Sequence, residues 1–177
     1  MKLVILDRDG VINHDSTAYI KSPDEWRPIA GSLDAIARLN QSGFHVALAT
    51  NQAGLGRGLF DMGTLNAIHT KMHLLLSQVG GHIDAIFFCP HRADDHCDCR
   101  KPKTGLLEDI AQRFNTSLKN VPLIGDSLRD LQAAEAAGAT PILVLTGNGK
   151  KTQLDPLMPR NTRIYPDLAA AVSALVE

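Results

Sequence analysis

The chain has 177 residues, a length that suits one domain large enough to bury most of its apolar surface. Apolar residues make up 44% and charged residues 21% of the chain, fractions that exclude a disordered chain and a membrane protein. The formal net charge of -1 excludes a basic field that would hold a nucleic-acid backbone, so a few placed cations must bind any anionic ligand.

The amino terminus runs directly into an apolar segment, without the basic region, long apolar core and cleavage site of a signal peptide. No apolar run approaches the length that spans a membrane. We therefore expect a cytoplasmic protein that binds neither a membrane nor a nucleic acid. The sequence shows no obvious exposed apolar stripe, which favours a monomer.

Residues 3–6 are branched aliphatic and predict a buried strand, and the polar residues after them predict the loop where this strand ends. Two carboxylates, Asp7 and Asp9, stand in that loop. In an open parallel sheet, ligands bind at this edge. Two like charges this close are unfavourable unless a cation lies between them or one carries a proton. The pair therefore indicates a metal site or a nucleophile beside an acid, and a solvated turn is the alternative.

The next residues, 13–28, are polar and irregular, and they predict a long loop of a kind that is uncommon unless it covers a ligand. A helical stripe follows and stops at Gly43, and residues 44–49 predict a second strand. This strand ends in Thr50 and leads into the glycine-rich segment 54–58, which we interpret as a loop containing Arg57. A hydroxyl, backbone N–H groups and a cation at one sheet edge suit a phosphoryl oxygen.

In the rest of the chain, segments with the apolar pattern of a helix alternate with segments typical of a strand. We predict helices at 62–79, 104–114, 128–137 and 166–176, strands at 83–88, 121–124 and 141–145, and a loop at 146–160. His69 and His73 lie one turn apart on the first of these helices, and we interpret them as surface residues because no third metal ligand is near. The alternation predicts an α/β fold, a Rossmann-like doubly wound parallel sheet with helices on both faces, in one domain spanning 1–177.

A cluster of metal-binding residue types follows the third predicted strand. Cys89 and His91 are separated by one residue, and so are Cys97 and Cys99. Three thiolates and an imidazole match a closed tetrahedral zinc site, which leaves no position for substrate, so this Zn²⁺ would be structural and would staple the loop. His96 is a possible competing ligand. Three free or buried thiols are the less favoured alternative.

Carboxylates, cations and a hydroxyl thus stand in loops that follow several strands of one parallel sheet. Loops at the carboxyl ends of parallel strands share one crevice. The residues that we expect to converge there are Asp7, Asp9, Thr50, Lys101 and Asp126. The carboxylates suit Mg²⁺, and the cation and hydroxyl suit phosphate.

This pattern resembles the haloacid dehalogenase-like phosphohydrolases across nearly the whole chain. The residues that carry the resemblance, in the order of that family, are Asp7-Arg8-Asp9-Gly10, Thr50, Lys101 and Gly125-Asp126-x-x-x-Asp130. Thr50-Asn51-Gln52 and the cysteine cluster are similar to two groups within it, phosphatases of heptose bisphosphates and the histidinol-phosphate phosphatase domain. The short interval between His91 and Cys97 favours the second group, whereas segment 51–58 and the lack of a second catalytic domain favour the first.

The resemblance implies that Asp7 is the nucleophile that forms an aspartyl phosphate, that Asp9 is the general acid and base, and that Thr50 and Lys101 hold the phosphoryl oxygens. It implies Mg²⁺ bound by Asp7, Asp9 and Asp126, with Asp130 orienting Lys101 or a metal-bound water. It also implies a small phosphorylated sugar as substrate, a function in activated-heptose synthesis for surface polysaccharide, and no large cap domain. The implied substrate-binding residues are Asp15, Ser16, Thr17, Ala18, Asn51, Gln52, Ala53, Arg57 and Arg100.

Overall fold

A computed structural model describes all 177 residues. Six strands form a single sheet in which every neighbouring pair is parallel. The strands are β1 Lys2–Leu6, β2 Phe44–Asn51, β3 Ala85–Cys89, β4 Pro122–Gly125, β5 Thr140–Val144 and β6 Arg163–Tyr165. Their order in the sheet is β3-β2-β1-β4-β5-β6. The predicted α/β fold with a parallel sheet is confirmed.

Seven helices and one short 3₁₀ helix, Pro23–Glu25, connect the strands. The helices are α1 Ser32–Gln41, α2 Ala53–Gly56, α3 Met62–Gln78, α4 Gly105–Arg113, α5 Leu128–Ala136, α6 Gly149–Thr152 and α7 Leu168–Val176. None of these helices is long and apolar enough to cross a bilayer.

Burial on both faces of the sheet explains why β1 is a continuous apolar run. Successive side chains of a strand point to opposite faces. Accordingly Leu3 and Ile5 join a core that includes residues of α4 and α5, while Val4 and Leu6 join a second core with α1, α3 and α7. Helices therefore cover both faces, as predicted.

Several element boundaries differ from those predicted. β2 continues to Asn51, so Thr50 lies inside the strand rather than after it. The glycine-rich segment contains the short helix α2, and the predicted loop 146–160 contains α6. The edge strand β6 was not predicted, because three residues, two of them exposed, are too few to show a strand period.

The strand order places the functional loops at the centre of the sheet. The chain runs outward from β1 in one direction and from β4 in the other, and the crevice between two such strands is where open α/β sheets bind ligands. The predicted loop 13–28 lies beside this crevice and is fixed to α3, because Nζ of Lys71 donates to the carbonyl oxygens of Pro23 and Trp26, each at 2.7 Å. Trp26 itself is fully buried.

Candidate active site

A polar cavity of about 240 Å³ opens at the carboxyl ends of the central strands. Eleven of the predicted site residues line it together: Asp7, Asp9, Asp15, Ser16, Thr17, Asn51, Gln52, Ala53, Arg100, Lys101 and Asp126. Of the predicted catalytic and substrate-binding residues, three lie outside the lining: Ala18, Thr50 and Arg57. Tyr19, Ile20, Ser127, Arg129 and Asn148 line the cavity and were not predicted.

Lys101 is the central cation of the cavity. Its Nζ atom lies 3.2 Å from Oδ1 of Asp7 and donates to Oδ1 of Asp130 and to the carbonyl oxygen of Ala49, each at 2.6 Å. Burial would lower the pKa of this ammonium group, but the charges of Asp130 and Asp7 outweigh it and raise the pKa. Lys101 is therefore a fixed positive charge next to Asp7.

Asp130 belongs to the first turn of α5 and caps it. Its Oδ2 accepts from Oγ of Ser127 at 2.8 Å, and together the two residues form a capping box at the start of the helix. Burial would raise the pKa of Asp130, but the charge and hydrogen bond of Lys101 outweigh it and lower that pKa. This carboxylate is thus held ionised behind Lys101.

Asp126 follows β4 and is fixed by two loops that meet it. Its Oδ2 accepts from the backbone N–H of Asn148 at 2.8 Å. Gly10, in the loop after β1, has a φ of 84°, and a Cβ there would collide with the Asp126 carboxyl group. Only glycine allows this approach of the two loops, which explains the glycine directly after Asp9.

Three carboxylates, those of Asp7, Asp126 and Asp130, have oxygens within 4.8 Å of one another. Burial, followed by the charge of Asp130, raises the pKa of Asp7 well above its usual value. The same two causes raise the pKa of Asp126 to about 7. Such crowding of buried carboxyl groups is relieved by a divalent cation that prefers oxygen ligands. Because Asp130 is already paired with Lys101, Asp7 and Asp126 are the carboxylates that fit Mg²⁺.

Asp9 has a different environment. Burial would raise the pKa of its carboxyl group, but the charge and hydrogen bond of Arg8 and a hydrogen bond from Asn13 lower it. Asp7 and Asp9 thus stand two residues apart with pKa values displaced in opposite directions. Two carboxyl groups that differ in this way suit different chemical roles.

The end of β2 connects the cavity to the loop that contains Lys101. Asn51 donates from Nδ2 to the carbonyl oxygen of Lys101 at 3.1 Å and accepts from its backbone N–H at 3.0 Å. Thr50 is buried behind Gln52, whose Nε2 donates to Oγ1 of Thr50 at 2.9 Å. Because that oxygen acts as an acceptor here, the Thr50 hydroxyl proton is left for another partner.

Two arginines, Arg100 and Arg129, line the cavity together with Lys101. The Nη1 atom of Arg100 is buried without a hydrogen-bond partner. Burial, followed by the positive charge of Arg129, lowers the pKa of Arg100. An anionic ligand group would supply the missing acceptor and neutralise two neighbouring cations. Arg57, by contrast, stacks outside the cavity, with its guanidinium carbon 5.9 Å from the centre of the Tyr19 ring.

The predicted cysteine cluster is assembled in the structure. Cys89, at the end of β3, has its Sγ 3.5 Å from Nδ1 of His91 and 3.6 Å from Sγ of Cys97, and Cys99 completes the group within a span of 4.8 Å. Sγ of Cys99 lies 2.8 Å from Sγ of Cys89 and 3.2 Å from Nδ1 of His91, which is closer than the roughly 3.3–3.8 Å between ligands of a tetrahedral zinc site. The types and the clustering of these four donors fit Zn²⁺, although Cys99 would have to move outward to bind it. His96 is exposed and is not part of the group.

The prediction that His69 is a surface residue is wrong. His69 is 7% exposed, and its Nε2 lies 3.1 Å from Nη1 of Arg8. The helical pattern alone did not reveal this burial, because the partner is 61 residues earlier in the chain. His73, one turn later, is exposed as expected.

Sequence comparison connects the chain to a family of hydrolases and to named phosphatases. A family model described as HAD-hydrolase-like matches residues 98–171. A D-glycero-beta-D-manno-heptose-1,7-bisphosphate 7-phosphatase of Bordetella bronchiseptica is 60% identical over 177 residues, which cover 100% of this chain and 99% of the relative. A phosphatase of the same name from Neisseria meningitidis is 54% identical over 170 residues, covering 95% of this chain and 91% of the relative.

A solved structure agrees with these relatives. The crystal structure of D,D-heptose 1,7-bisphosphate phosphatase from B. bronchiseptica, complexed with magnesium and phosphate, matches with a TM-score of 0.98 and 60% identity. The match covers 99% of this chain and 98% of the other. The predicted resemblance is confirmed: the chain is a phosphatase that belongs to the D-glycero-beta-D-manno-heptose-1,7-bisphosphate 7-phosphatase family of the haloacid dehalogenase-like hydrolases.

Proposed function

We propose that the protein removes the 7-phosphate of D-glycero-beta-D-manno-heptose 1,7-bisphosphate in a Mg²⁺-dependent reaction that passes through an aspartyl phosphate. The names of its relatives support this substrate. We place the reaction in activated-heptose synthesis for lipopolysaccharide or a related surface polysaccharide. We further expect residues 1–177 to act as a single domain and as a monomer in the cytoplasm.

The observation that carries the substrate proposal is the buried, unpartnered Nη1 of Arg100, beside Arg129 in the same cavity as Asp7. A second phosphate group would accept from Arg100 and neutralise both arginines. The alternative substrate, histidinol phosphate, has an ammonium group instead, and like charges repel in a partly buried cavity. The two arginines therefore favour a bisphosphate.

In the proposed reaction, Oδ2 of Asp7 attacks phosphorus, the bond from phosphorus to the sugar oxygen breaks, and Asp9 protonates that oxygen. Asp9 then removes a proton from the water that hydrolyses the aspartyl phosphate. The lowered pKa of Asp9 keeps it ionised in the free protein, and the negative charge of an arriving phosphate ester raises that pKa and favours uptake of the proton. Asp7 cannot act as both nucleophile and acid, so two carboxyl groups are needed.

Two side chains are proposed to hold the phosphoryl oxygens, where negative charge is spread in the transition state. Lys101 lies 3.2 Å from Oδ1 of Asp7, so it stands beside the carboxyl group whose other oxygen bonds to phosphorus. The Thr50 hydroxyl has a proton to donate, because its oxygen accepts from Gln52. Thr50 lies behind the cavity lining, so its contact with substrate requires Gln52 to yield space.

We assign oxygen donors to Mg²⁺ and the sulfur and imidazole donors to Zn²⁺, because each ion prefers these ligand types. Asp7, the backbone carbonyl of Asp9 and Asp126 would hold Mg²⁺, which supplies charge neutralisation for the phosphoryl group when bound. The cysteine cluster, Cys89, His91, Cys97 and Cys99, would hold a structural Zn²⁺.

The test is a comparison of kcat/KM for phosphate release from heptose 1,7-bisphosphate and from histidinol phosphate, with Mg²⁺ present. We expect the heptose bisphosphate to be preferred by about 100-fold or more, which corresponds to about 2.7 kcal/mol of transition-state discrimination. The Asp7→Asn variant should be inactive on both substrates while remaining folded. A preference for histidinol phosphate would overturn the substrate assignment, and an active Asp7→Asn variant would overturn the nucleophile.

A further inference from the structure

The side chain of Arg8, between the two catalytic carboxylates, is fully buried. Its Nε donates to Oδ1 of Asp9 at 2.9 Å, and its Nη2 lies 2.9 Å from the same oxygen. A buried guanidinium needs a partner of opposite charge, and this geometry supplies one. The Nε hydrogen bond thus fixes the position of Oδ1, and Nη2 adds an ion-pair contact without hydrogen-bond geometry.

His69, a buried residue of α3, contacts Arg8. Nη1 of Arg8 and Nε2 of His69 are 3.1 Å apart. Arginine has only donors, so Nε2 must be the acceptor, and a neutral His69 therefore carries its proton on Nδ1. Burial, followed by the charge of Arg8, lowers the pKa of His69 to about 4, in keeping with a neutral ring.

The two oxygens of Asp9 have unequal surroundings. Besides Arg8, Oδ1 accepts from Nδ2 of Asn13 at 2.9 Å. Oδ2 accepts only from Nε2 of Gln52, at 3.2 Å. Two hydrogen bonds, from Nε of Arg8 and Nδ2 of Asn13, therefore occupy both lone pairs of Oδ1, whereas Oδ2 retains room for a further partner, and Asp9 lines the cavity.

We infer that Arg8 and His69 are positioning residues for the proton transfers, because they hold Asp9 so that Oδ2 exchanges the proton. This inference rests on the proposed function. When the bond from phosphorus to the sugar oxygen breaks, that oxygen takes the proton from Oδ2 and Asp9 becomes a carboxylate. In the second step water returns a proton to Oδ2 as its oxygen bonds to phosphorus and the bond from phosphorus to Asp7 breaks.

His69 matters in this arrangement because it satisfies the one arginine nitrogen that does not face Asp9. Without an acceptor at that position, a buried N–H is left unpaired, and the guanidinium gains by rotating toward another acceptor. Rotation of Arg8 releases Oδ1 of Asp9, so the carboxyl group loses its fixed orientation. Proton transfer depends on such orientation more than substrate binding does.

The test uses His69→Leu, which removes the acceptor, and His69→Gln, whose Oε1 can replace it. Two substrates separate protonation from other steps: heptose 1,7-bisphosphate, whose leaving alkoxide needs a proton, and p-nitrophenyl phosphate, whose leaving group needs little help. For His69→Leu we expect kcat/KM for the heptose ester to fall about 10- to 100-fold. For p-nitrophenyl phosphate it should stay within about threefold, because formation of the aspartyl phosphate then needs no general acid.

KM for the sugar substrate should be unchanged, and His69→Gln should recover most of the activity. His73→Gln, on the exposed face of the same helix, is the matched control. If His69→Leu does not fold, as judged by circular dichroism, His69→Asn serves instead, because its side chain is too short to reach Arg8.

An equal loss on both substrates, or a loss confined to KM, would overturn the positioning role and leave His69 with a purely structural one. Failure of the proposed function looks different, because the wild-type protein would then not hydrolyse heptose bisphosphate at all. In that event the same variants are compared on p-nitrophenyl phosphate and on whichever alkyl phosphate the wild-type protein hydrolyses.

Discussion

The Nζ atom of Lys101 lies 2.6 Å from Oδ1 of Asp130, and both side chains are at most 2% exposed. One charge of this pair comes from the loop after the cysteine cluster and the other from the first turn of α5. Because water is excluded, Asp130 would be left without a counter-charge if Lys101 were removed, and Lys101 would keep only Asp7, at 3.2 Å, if Asp130 were removed. The pair therefore connects catalytic geometry directly to folding stability.

Replacing Asp130 with Asn is expected to destabilise the protein by about 1–3 kcal/mol, because the buried Lys101 ammonium loses its nearer counter-charge and keeps only Asp7. The free energy of unfolding in urea measures the effect. Glu135→Gln, on the exposed side of the same helix, is the control and should change stability by no more than about 0.5 kcal/mol. Equal stabilities of the two variants would contradict a structural ion pair.

Gly10 and Gly43 provide a matched pair of substitutions, because their φ values are 84° and 85°. At Gly43 nothing lies within 4 Å of an added Cβ, so Gly43→Ala should cost only the backbone strain of about 1–2 kcal/mol. Gly10→Ala adds a collision with the Asp126 carboxyl group and should also lower kcat/KM at least about tenfold. Thermal unfolding and Mg²⁺-dependent activity measure both effects, and equal activity in the two variants would contradict this account of Gly10.

His69 should make stability depend on pH in mildly acidic solution. The unfolded chain binds a proton at His69 below about pH 6.5, whereas the folded protein binds it only below a pKa of about 4. The unfolded state therefore holds more protons between these values, and stability falls as pH falls through this window. The contribution should reach at most about 3 kcal/mol near pH 4.

Urea unfolding of the wild-type protein and His69→Gln at a series of pH values isolates this term, because the other titrating groups are common to both. As pH falls from 6.5 to 4, the free energy of unfolding of the wild-type protein should fall relative to that of His69→Gln. Parallel stability curves would show that His69 ionises normally in the folded state.

The sequence leaves open whether His91 or His96 is the fourth ligand of the cysteine cluster, and the structure favours His91. His91→Ala should greatly reduce the zinc that remains bound after dialysis against a weak chelator, because it removes a ligand from the closed site. His96→Ala should retain one zinc per chain. Elemental analysis measures retention, and Co²⁺ substitution should give thiolate-to-metal absorption bands in His96→Ala. Loss of zinc in the His96 variant instead would reverse the ligand assignment.

Arg100 should recognise the second phosphate of the substrate rather than the phosphate that is removed. Arg100→Gln is expected to raise KM for heptose 1,7-bisphosphate by about 10- to 100-fold, the loss of one charged hydrogen bond worth about 1.5–3 kcal/mol. Steady-state kinetics with a sugar monophosphate should show a much smaller change. Arg113→Gln, at the exposed end of α4, serves as the control, and identical effects on both substrates would exclude this role.

Much of the fold could be predicted from the sequence because its signals are local. A parallel sheet buried on both faces requires continuous apolar strands, and residues 3–6 and 44–49 have that composition. Asp7 and Asp126 could be placed in one crevice because both directly follow such strands. The spacing of Cys89, His91, Cys97 and Cys99 indicated a shared site for a similar reason, since the cluster is formed within one loop.

The contacts that could not be predicted join loops that are distant in sequence. Asn148 reaches Asp126 from a segment with no apolar period, and His69 contacts Arg8 across 61 residues. Thr50 was expected to line the cavity because it was assigned to a strand end, but β2 continues through it and its side chain is covered by Gln52. Periodicity reports which face of an element is buried, but it carries no information about which polar group meets that face.

The cysteine cluster stands so close to Lys101 along the chain that we expect oxidation of its thiolates to disturb this cation. Lys101 stands two residues after Cys99, so the loop that the thiolates hold also sets the position of its backbone against β2. We expect hydrogen peroxide acting on these sulfur atoms to release a Zn²⁺ held there and to move Lys101 away from Asp7. The protein would then lose activity in peroxide although its own reaction transfers no electrons. A thiol reductant together with Zn²⁺ should restore the activity.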